Sequence, residues 1–450
     1  MDQDVATRAS GLAPVDASER VALRRQWYLV VVLAAIYVLN YIDRGALNLI
    51  VNPIKEDLRI SDLQISLLIG LSFATLYSLL SIPAGYLADR MSRRLLLGGA
   101  IFFWSCMASL SGLAGNYWQL FAGRVGLGVG EAVLPPTAYS MLRDGVRIEH
   151  RARAFSIYHL GTGIGTALGA LIGGSLFAIG LAGGFAGVPI LGALKPWQLV
   201  IVVPGVAGIF ISFLMATVRE PRRGAERLAQ RSNFAEAFRY VREHRRVYAP
   251  LFLSIVFGPM AVSAWGAWLP AAIGRMWGLP TAEIGHMTGY LALAVLPVNA
   301  LIVGYLMDRV SDSGRRRDRT IWFAMAIGLL QILPALWILV APSIPLMWVG
   351  YAGSMLLTNA TGVAGALSLA QITPGRLMGK LTSFYFLIAN LLGLAMGPTV
   401  TALVAQWFSG KLAIANAMML CYPALSSLNI LFLGIFATRL KTWQRNTEMT

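Results

Sequence analysis

Charge is scarce in this chain and cysteine scarcer still: 13% of the 450 residues are Asp, Glu, Lys or Arg, and only two are Cys. With 57% hydrophobic side chains beside so little charge, the composition excludes an ordinary soluble enzyme of two or three domains. Cys106 and Cys421 both fall in apolar runs far apart in sequence, which argues against a disulfide framework or a thiolate metal site. The four histidines are scattered, so no metal centre or resident cofactor is expected, and an enzyme's nucleophile and base are missing as well. A phosphate-cradling loop is also lacking. The Gly-Lys pairs Gly379-Lys380 and Gly410-Lys411 have no glycine five positions ahead, which excludes an ATP-driven pump within this chain.

What is abundant is long apolar sequence. A membrane-crossing helix takes about 20 residues, and twelve such runs lie near 27–50, 62–84, 94–114, 118–141, 154–180, 197–218, 248–273, 283–306, 320–341, 344–368, 381–405 and 412–438. The first is too long for a signal-peptide core and lacks a small-residue cleavage site, so it is expected to be a mature helix. The net charge of +16 is a topology signal and does not point to nucleic acid. Alternate loops and the two tails hold 30 Lys and Arg against 5 in the opposite loops, which places both termini in the cytoplasm by the positive-inside rule.

The expected layout is a cytoplasmic tail over 1–26, six helices over 27–218, a basic linker over 219–247, six helices over 248–438 and a tail over 439–450. Nine arginines crowd the linker. Its stretch NFAEAFRYVREHRR spaces Phe234, Phe238 and Val241 at helical intervals, as in a short helix on the membrane surface; a solvated linker is the alternative. The halves repeat. Gly85-Tyr-Leu-Ala-Asp89-Arg90 and Gly304-Tyr-Leu-Met-Asp308-Arg309 lie 219 residues apart, each after an even-numbered span. This is an all-α integral membrane protein of twelve transmembrane helices in two pseudo-symmetric six-helix bundles, a layout typical of transporters.

Four charges lie inside spans. NYIDRG in the first run holds Asp43 and Arg44, and GRVGLGVGEAVLPP in the fourth holds Arg124 and Glu131, seven residues apart and so on one helix face, about 10 Å along its axis. At about 2.5–3.5 kcal/mol each in mid-membrane, four isolated charges would cost on the order of 10–14 kcal/mol. They must therefore meet one another. Asp43 and Arg124 sit at similar depth from the outer ends of their spans, which makes an ion pair between them feasible if the first and fourth helices line one cavity. Either static pairs hold the bundle together, or Asp43 and Glu131 titrate and release an arginine to an anion. Pro135-Pro136 should break the ladder of the fourth helix. Gly126, Gly128 and Gly130 imitate a nucleotide loop but follow no strand, so they are read as packing. Gly161, Gly165, Gly169 and Gly173, four apart, form a ridge for close helix approach; Gly393, Gly397 and Pro398 repeat a glycine-proline feature as packing or hinge.

At these motifs the chain resembles the major facilitator superfamily across nearly its whole length. The segment with Gly85, Asp89, Arg90, Arg93 and Arg94 is similar to that superfamily's loop 2–3 signature, repeated at Gly304, Asp308 and Arg309, and the resemblance implies a cytoplasmic gate latched by Asp89. The glycine ridge is similar to an antiporter motif, but Thr166 stands where that motif has proline, which weakens the implication of antiport. NYIDR together with RVGLGVGEAVLPPTAYS resembles the spinster-type branch, whose animal members export lysosphingolipids and lysophospholipids. That implies functional roles for Asp43, Arg44, Arg124 and Glu131; proton coupling at Asp43 and Glu131 is the expectation from their burial among arginines.

The second half has no charge in its spans. Trp265, Trp268, Met260, Tyr290, Asn299, Tyr351, Asn359, Thr361, Tyr385 and Asn390 are its candidates for an amphipathic wall, with Asn359, Trp265 and Tyr385 foremost for substrate. His159 and His286 are read as packing or interface residues ahead of proton relays. The expectation is a monomeric, proton-coupled secondary transporter of the bacterial inner membrane, taking an anionic organic or lysolipid-like solute by rocker-switch alternating access. Multidrug efflux is the main alternative, and a sensor on the same fold a lesser one.

Overall fold

A computed structural model describes residues 17–221, 234–311, 317–358 and 360–448. Among the described residues eleven helices are long and apolar enough to cross a membrane: α1 Arg20–Leu49, α2 Asp62–Arg90, α3 Arg93–Gly112, α5 Ile148–Leu181, α6 Pro196–Thr217, α7 Arg245–Trp277, α8 Thr281–Met307, α9 Arg319–Val340, α10 Ile344–Ile372, α11 Leu377–Ala405 and α12 Ala413–Thr442. The remaining crossing, α4, is split into Tyr117–Glu131 and Leu134–Gly145. The break falls just ahead of Pro135 and Pro136, which have no N–H for the carbonyls one turn back and whose rings crowd them.

Among the described residues the apolar cores divide unevenly between the two sides of the membrane. One cluster joins Leu47, Ile50, Ile54 and Leu68 of the first half to Trp268, Leu269, Ile273 and Met418 of the second, and these positions lie toward the side whose loops are poor in basic residues. Toward the basic side the cores stay almost wholly within one half. Leu33, Ile36, Trp104, Met141 and Tyr158 form one, to which the second half adds only Ala395. Tyr248, Leu251, Leu381 and Phe436 form another. The halves are thus sealed at the basic-poor face. A polar clamp covers the seal: Arg275 reaches both Asp62 oxygens at 3.0 and 2.8 Å and Asn52 Oδ1 at 2.9 Å, while Lys55 meets Asp62 at 2.8 Å. Beside it, burial works to raise the Asp57 carboxyl, but bonds from Lys195 and Trp197 and the lysine charge outweigh burial and hold it below the usual range.

Each glycine of the α5 ridge lies against α1. A Cβ would come 3.2 Å from the Ala34 carbonyl at Gly161, 2.5 Å from that of Val38 at Gly165, 2.6 Å from that of Ile42 at Gly169 and 3.3 Å from Leu49 Cδ2 at Gly173. Backbone cannot yield as a side-chain tip can. Gly165→Leu is therefore expected to cost about 3 kcal/mol or more, the upper range for overpacking, seen as a lower melting temperature and a reduced monodisperse peak in detergent. Gly187→Ala, with no atom near its Cβ, should match the parent, and an unshifted Gly165→Leu would refute this account of the α1–α5 contact. Gly397 plays the same part in the second half, meeting Ser263 and Met260 of α7, and the adjacent Pro398 carbonyl accepts a bond from Trp268 Nε1 at 3.0 Å.

Two π turns interrupt the helices, Leu67–Leu71 in α2 and Ala389–Leu394 in α11. Each packs on the opposite half next to the other turn, with Gly70 against the Ala395 carbonyl just past Leu394. Within the linker a helix runs Phe234–Glu243. Ala237 is buried and Tyr240 and Val241 pack beside it against the second-half core, whereas Phe238 is 64% exposed. The expected apolar face is thus split between protein and surroundings. Residues 222–233, which carry several of the arginines, lie outside the described residues.

Candidate functional site

A cavity of about 210 Å³ lies between the halves next to the π turns. The first half contributes Arg44 and Asn48 of α1, Gly70, Phe73 and Tyr77 of α2, and Arg124 of α4; the second contributes Val262, Ser263 and Gly266 of α7, and Asn390, Leu394 and Pro398 of α11. Both charges in the lining come from the first half.

The ion pair differs from the one that similar depth made feasible. Arg44, not Arg124, holds a carboxylate: its Nη2 lies 2.7 Å and its Nε 3.2 Å from Glu131 Oε2. The guanidinium also stacks on Phe73, 4.4 Å from the ring centre, with Tyr41 at 5.1 Å and Tyr77 at 5.2 Å. Asp43 makes no ion pair with a described residue. Equal depth misleads here because side chains lean toward the N-terminus of their helix. On antiparallel α1 and α4, Arg44 and Glu131 lean toward each other while Asp43 and Arg124 lean apart. Glycine at 45 faces Thr166 of α5, a reminder that successive residues diverge by about 100°.

Glu131 is fully buried with Oε1 unpartnered, so it uses one oxygen for Arg44 and keeps the other spare. Arg124 is 5% exposed and has no carboxylate partner among the described residues; its Nε lacks any hydrogen bond, and its closest aromatic neighbour is Phe73 at 5.8 Å. A buried guanidinium at a cavity wall, with no ion-paired carboxylate among the described residues, has the donors to bond an anion.

Of the foremost second-half candidates, Trp265 is buried against Tyr422 and Tyr385 packs beside Phe386, so neither lines the cavity. Asn359 lies outside the described residues. Asn390 does line it. Asn299 is spent on the carbonyls of Leu356 and Thr358. His159 meets the Tyr139 hydroxyl at 3.0 Å, and His286 meets Ser175 at 3.0 Å across the α5–α8 contact.

At the basic end, Arg93 is the buried member of the loop 2–3 motif. It bonds Asp144 and Ser140 at the end of α4 and the Pro221 carbonyl, and lies 3.5 Å from Glu220. Burial works to raise the Glu220 carboxyl, but bonds from the Ser92 hydroxyl and Arg93 N–H and the arginine charge hold it below the ordinary range. Asp89 sits exposed at the end of α2, and Arg90 stacks on Tyr86 at 4.1 Å. Arg309 mirrors this on Tyr305 at 5.0 Å; the environments of Gly304 and Asp308 lie outside the described residues. The sequence reasoning missed Phe73, Tyr77, Asp144 and Glu220. An aromatic pair one turn apart, and carboxylates ending α4 and α6 within basic loops, were the available signals.

A family model described as Major Facilitator Superfamily matches residues 33–398. The solved structure of a bacterial homolog to the human lysosomal transporter Spinster, inward-facing and unoccupied, superposes with a TM-score of 0.78 at 25% identity, covering 92% of this chain and 96% of that one. An MFS-type efflux pump of Mycolicibacterium smegmatis is 25% identical over 420 residues, 91% of this chain and 92% of its own. Protein spinster homolog 1 of Homo sapiens is 27% identical over 464 residues, 93% of this chain and 80% of its own.

Proposed function

The chain belongs to the Major Facilitator Superfamily, and from that premise we propose that it is a proton-coupled secondary transporter of an anionic organic or amphiphilic solute, lysolipid-like or an organic acid. The observation that carries this is Arg124, buried at the cavity wall with no ion-paired carboxylate among the described residues. An anion there would gain charge-assisted bonds from a donor already stripped of water. The solute's apolar part would lie on Phe73, Val262 and Leu394, and Asn390 and Ser263 would orient its polar groups.

Coupling falls to Glu131 and Asp43. When Glu131 is ionised it holds Arg44; when protonated it loses most of its attraction for the guanidinium, and Arg44, which also lines the cavity, becomes a second anion donor. Asp43, beside it on α1, is the other exchangeable proton site. Alternating access then consists of opening the Asp62–Arg275 clamp and the apolar seal while the basic side closes. In this reading both termini are cytoplasmic, the membrane is the bacterial inner membrane, and the protein works as a monomer.

Flux into proteoliposomes holding a pH-sensitive dye tests it. A lysophospholipid or carboxylate should move faster under an imposed pH gradient and carry protons with it; flux that ignores the gradient and moves no protons would sink the coupling. The efflux reading draws on the mycobacterial relative's name and on the apolar part of the cavity. Lipophilic cations emerging as the best substrates would establish it in place of anion transport.

A further inference from the structure

Away from the central cavity, a second hollow of about 210 Å³ lies between the first turns of α3 and the last turns of α6, lined by Arg94, Leu95, Gly98, Gly99, Phe102, Ser212, Phe213, Met215 and Ala216. Its walls are almost wholly apolar except for Arg94 at one end. It opens outward: Leu95, Phe102 and Phe213 are exposed, and no atom lies within 4 Å of where a Cβ on Gly99 would sit. The α6 ladder breaks at this point, since Pro196–Ser212 and Leu214–Thr217 are separate helical pieces joined at Phe213. From Arg94 to Phe102 the crevice follows α3 for about 12 Å, the distance from headgroup level into the hydrocarbon.

The charge at the mouth is selective. Arg93 is ion-paired with Asp144 and Glu220. The Arg94 side chain has only a 3.5 Å contact with the Ala216 carbonyl and no carboxylate partner among the described residues. Glu220 is occupied by the Ser92 hydroxyl and by Arg93, and no carboxylate is among the crevice's lining residues to hold the ammonium of a zwitterionic headgroup. We propose that this crevice is a binding site for one anionic phospholipid of the leaflet facing the basic loops, its phosphate on Arg94 and an acyl chain along Gly98, Gly99 and Phe102. The lipid would be a resident ligand on the outer wall of the first half. The site does not depend on what the central cavity carries.

The test counts bound lipid by native mass spectrometry on the full chain in a neutral detergent, titrated with dioleoylphosphatidylglycerol, dioleoylphosphatidylcholine or inorganic phosphate. One phosphatidylglycerol should be retained with about a tenfold preference over phosphatidylcholine, because either phosphate can bond Arg94 but the choline ammonium is repelled by the arginine and finds no carboxylate in the crevice lining. Arg94→Gln should reduce that preference to near unity. Gly99→Phe should evict the lipid while leaving the charge and the protein's melting temperature intact, because the ring enters open space. Arg153→Gln, an exposed arginine elsewhere on the same side, should change nothing. Equal retention of the two lipids, stabilisation by inorganic phosphate alone, or full retention in Gly99→Phe would each overturn the proposal.

Discussion

Arg124→Ala is expected to raise the apparent Kd for the transported anion about 10- to 100-fold, since a hydrogen bond to a charged group is worth about 1.5–3 kcal/mol and each 1.4 kcal/mol is tenfold. The effect should fall on binding and leave the fold intact. No carboxylate among the described residues is ion-paired or hydrogen-bonded to this guanidinium, although its charge acts on buried Asp43, so its removal should cost less stability than removal of Arg44, which is bonded to Glu131. Arg124→Lys should recover part of the affinity, because an ammonium keeps the charge but loses the planar fork that grips a carboxylate or phosphate on two oxygens. A thermal-shift titration with lysophospholipids, sphingoid phosphates, carboxylates and cationic drugs measures it. Ligand shifts that survive Arg124→Ala unchanged would remove Arg124 from the binding site.

Glu131→Ala is expected to do the converse and damage the fold first. Truncating one partner of a buried ion pair costs about 3–5 kcal/mol, because the other charge is left without compensation. Glu131 is wholly buried, and the Arg44 side chain is only 22% exposed, so water can relieve little of the penalty. Glu131→Gln keeps the shape and an acceptor for the guanidinium and should lose much less stability. It cannot exchange a proton, so transport in that variant should lose its response to a pH gradient. Melting temperatures in detergent and gradient-driven flux separate the two effects. A Glu131→Ala protein that melts with the parent would show that Arg44 finds another anion, and a Glu131→Gln protein with full gradient dependence would move the coupling site to Asp43.

Most of the fold was legible because the bilayer enforces it. Apolar runs of spanning length and the 30-to-5 division of basic residues leave little choice of architecture, and Pro135-Pro136 marks the break in α4. The buried charges were legible in the sequence, but their pairing was not. Burial cost alone singles out Asp43, Arg44, Arg124 and Glu131, whereas their partners depend on the lean of side chains along antiparallel helices, which comparison of depths ignores. The π turns at Leu67–Leu71 and Ala389–Leu394 carry no sequence mark, since a surplus residue in one turn leaves the apolar pattern nearly intact. Trp265 and Tyr385 were candidates by residue type. Type does not tell a ring that faces a cavity from one that faces Tyr422 or Phe386.

The apolar seal between the halves has a thermal consequence. In the proposed cycle, parting Ile50, Ile54 and Leu68 from Trp268 and Ile273 opens oily surface to water at the mouth of the outward-open state. Newly hydrated apolar surface raises heat capacity, so the balance between the inward-open and outward-open forms should curve with temperature and have no single van't Hoff slope. The interface that seals one side of the membrane would then also set the temperature range over which the transporter turns over.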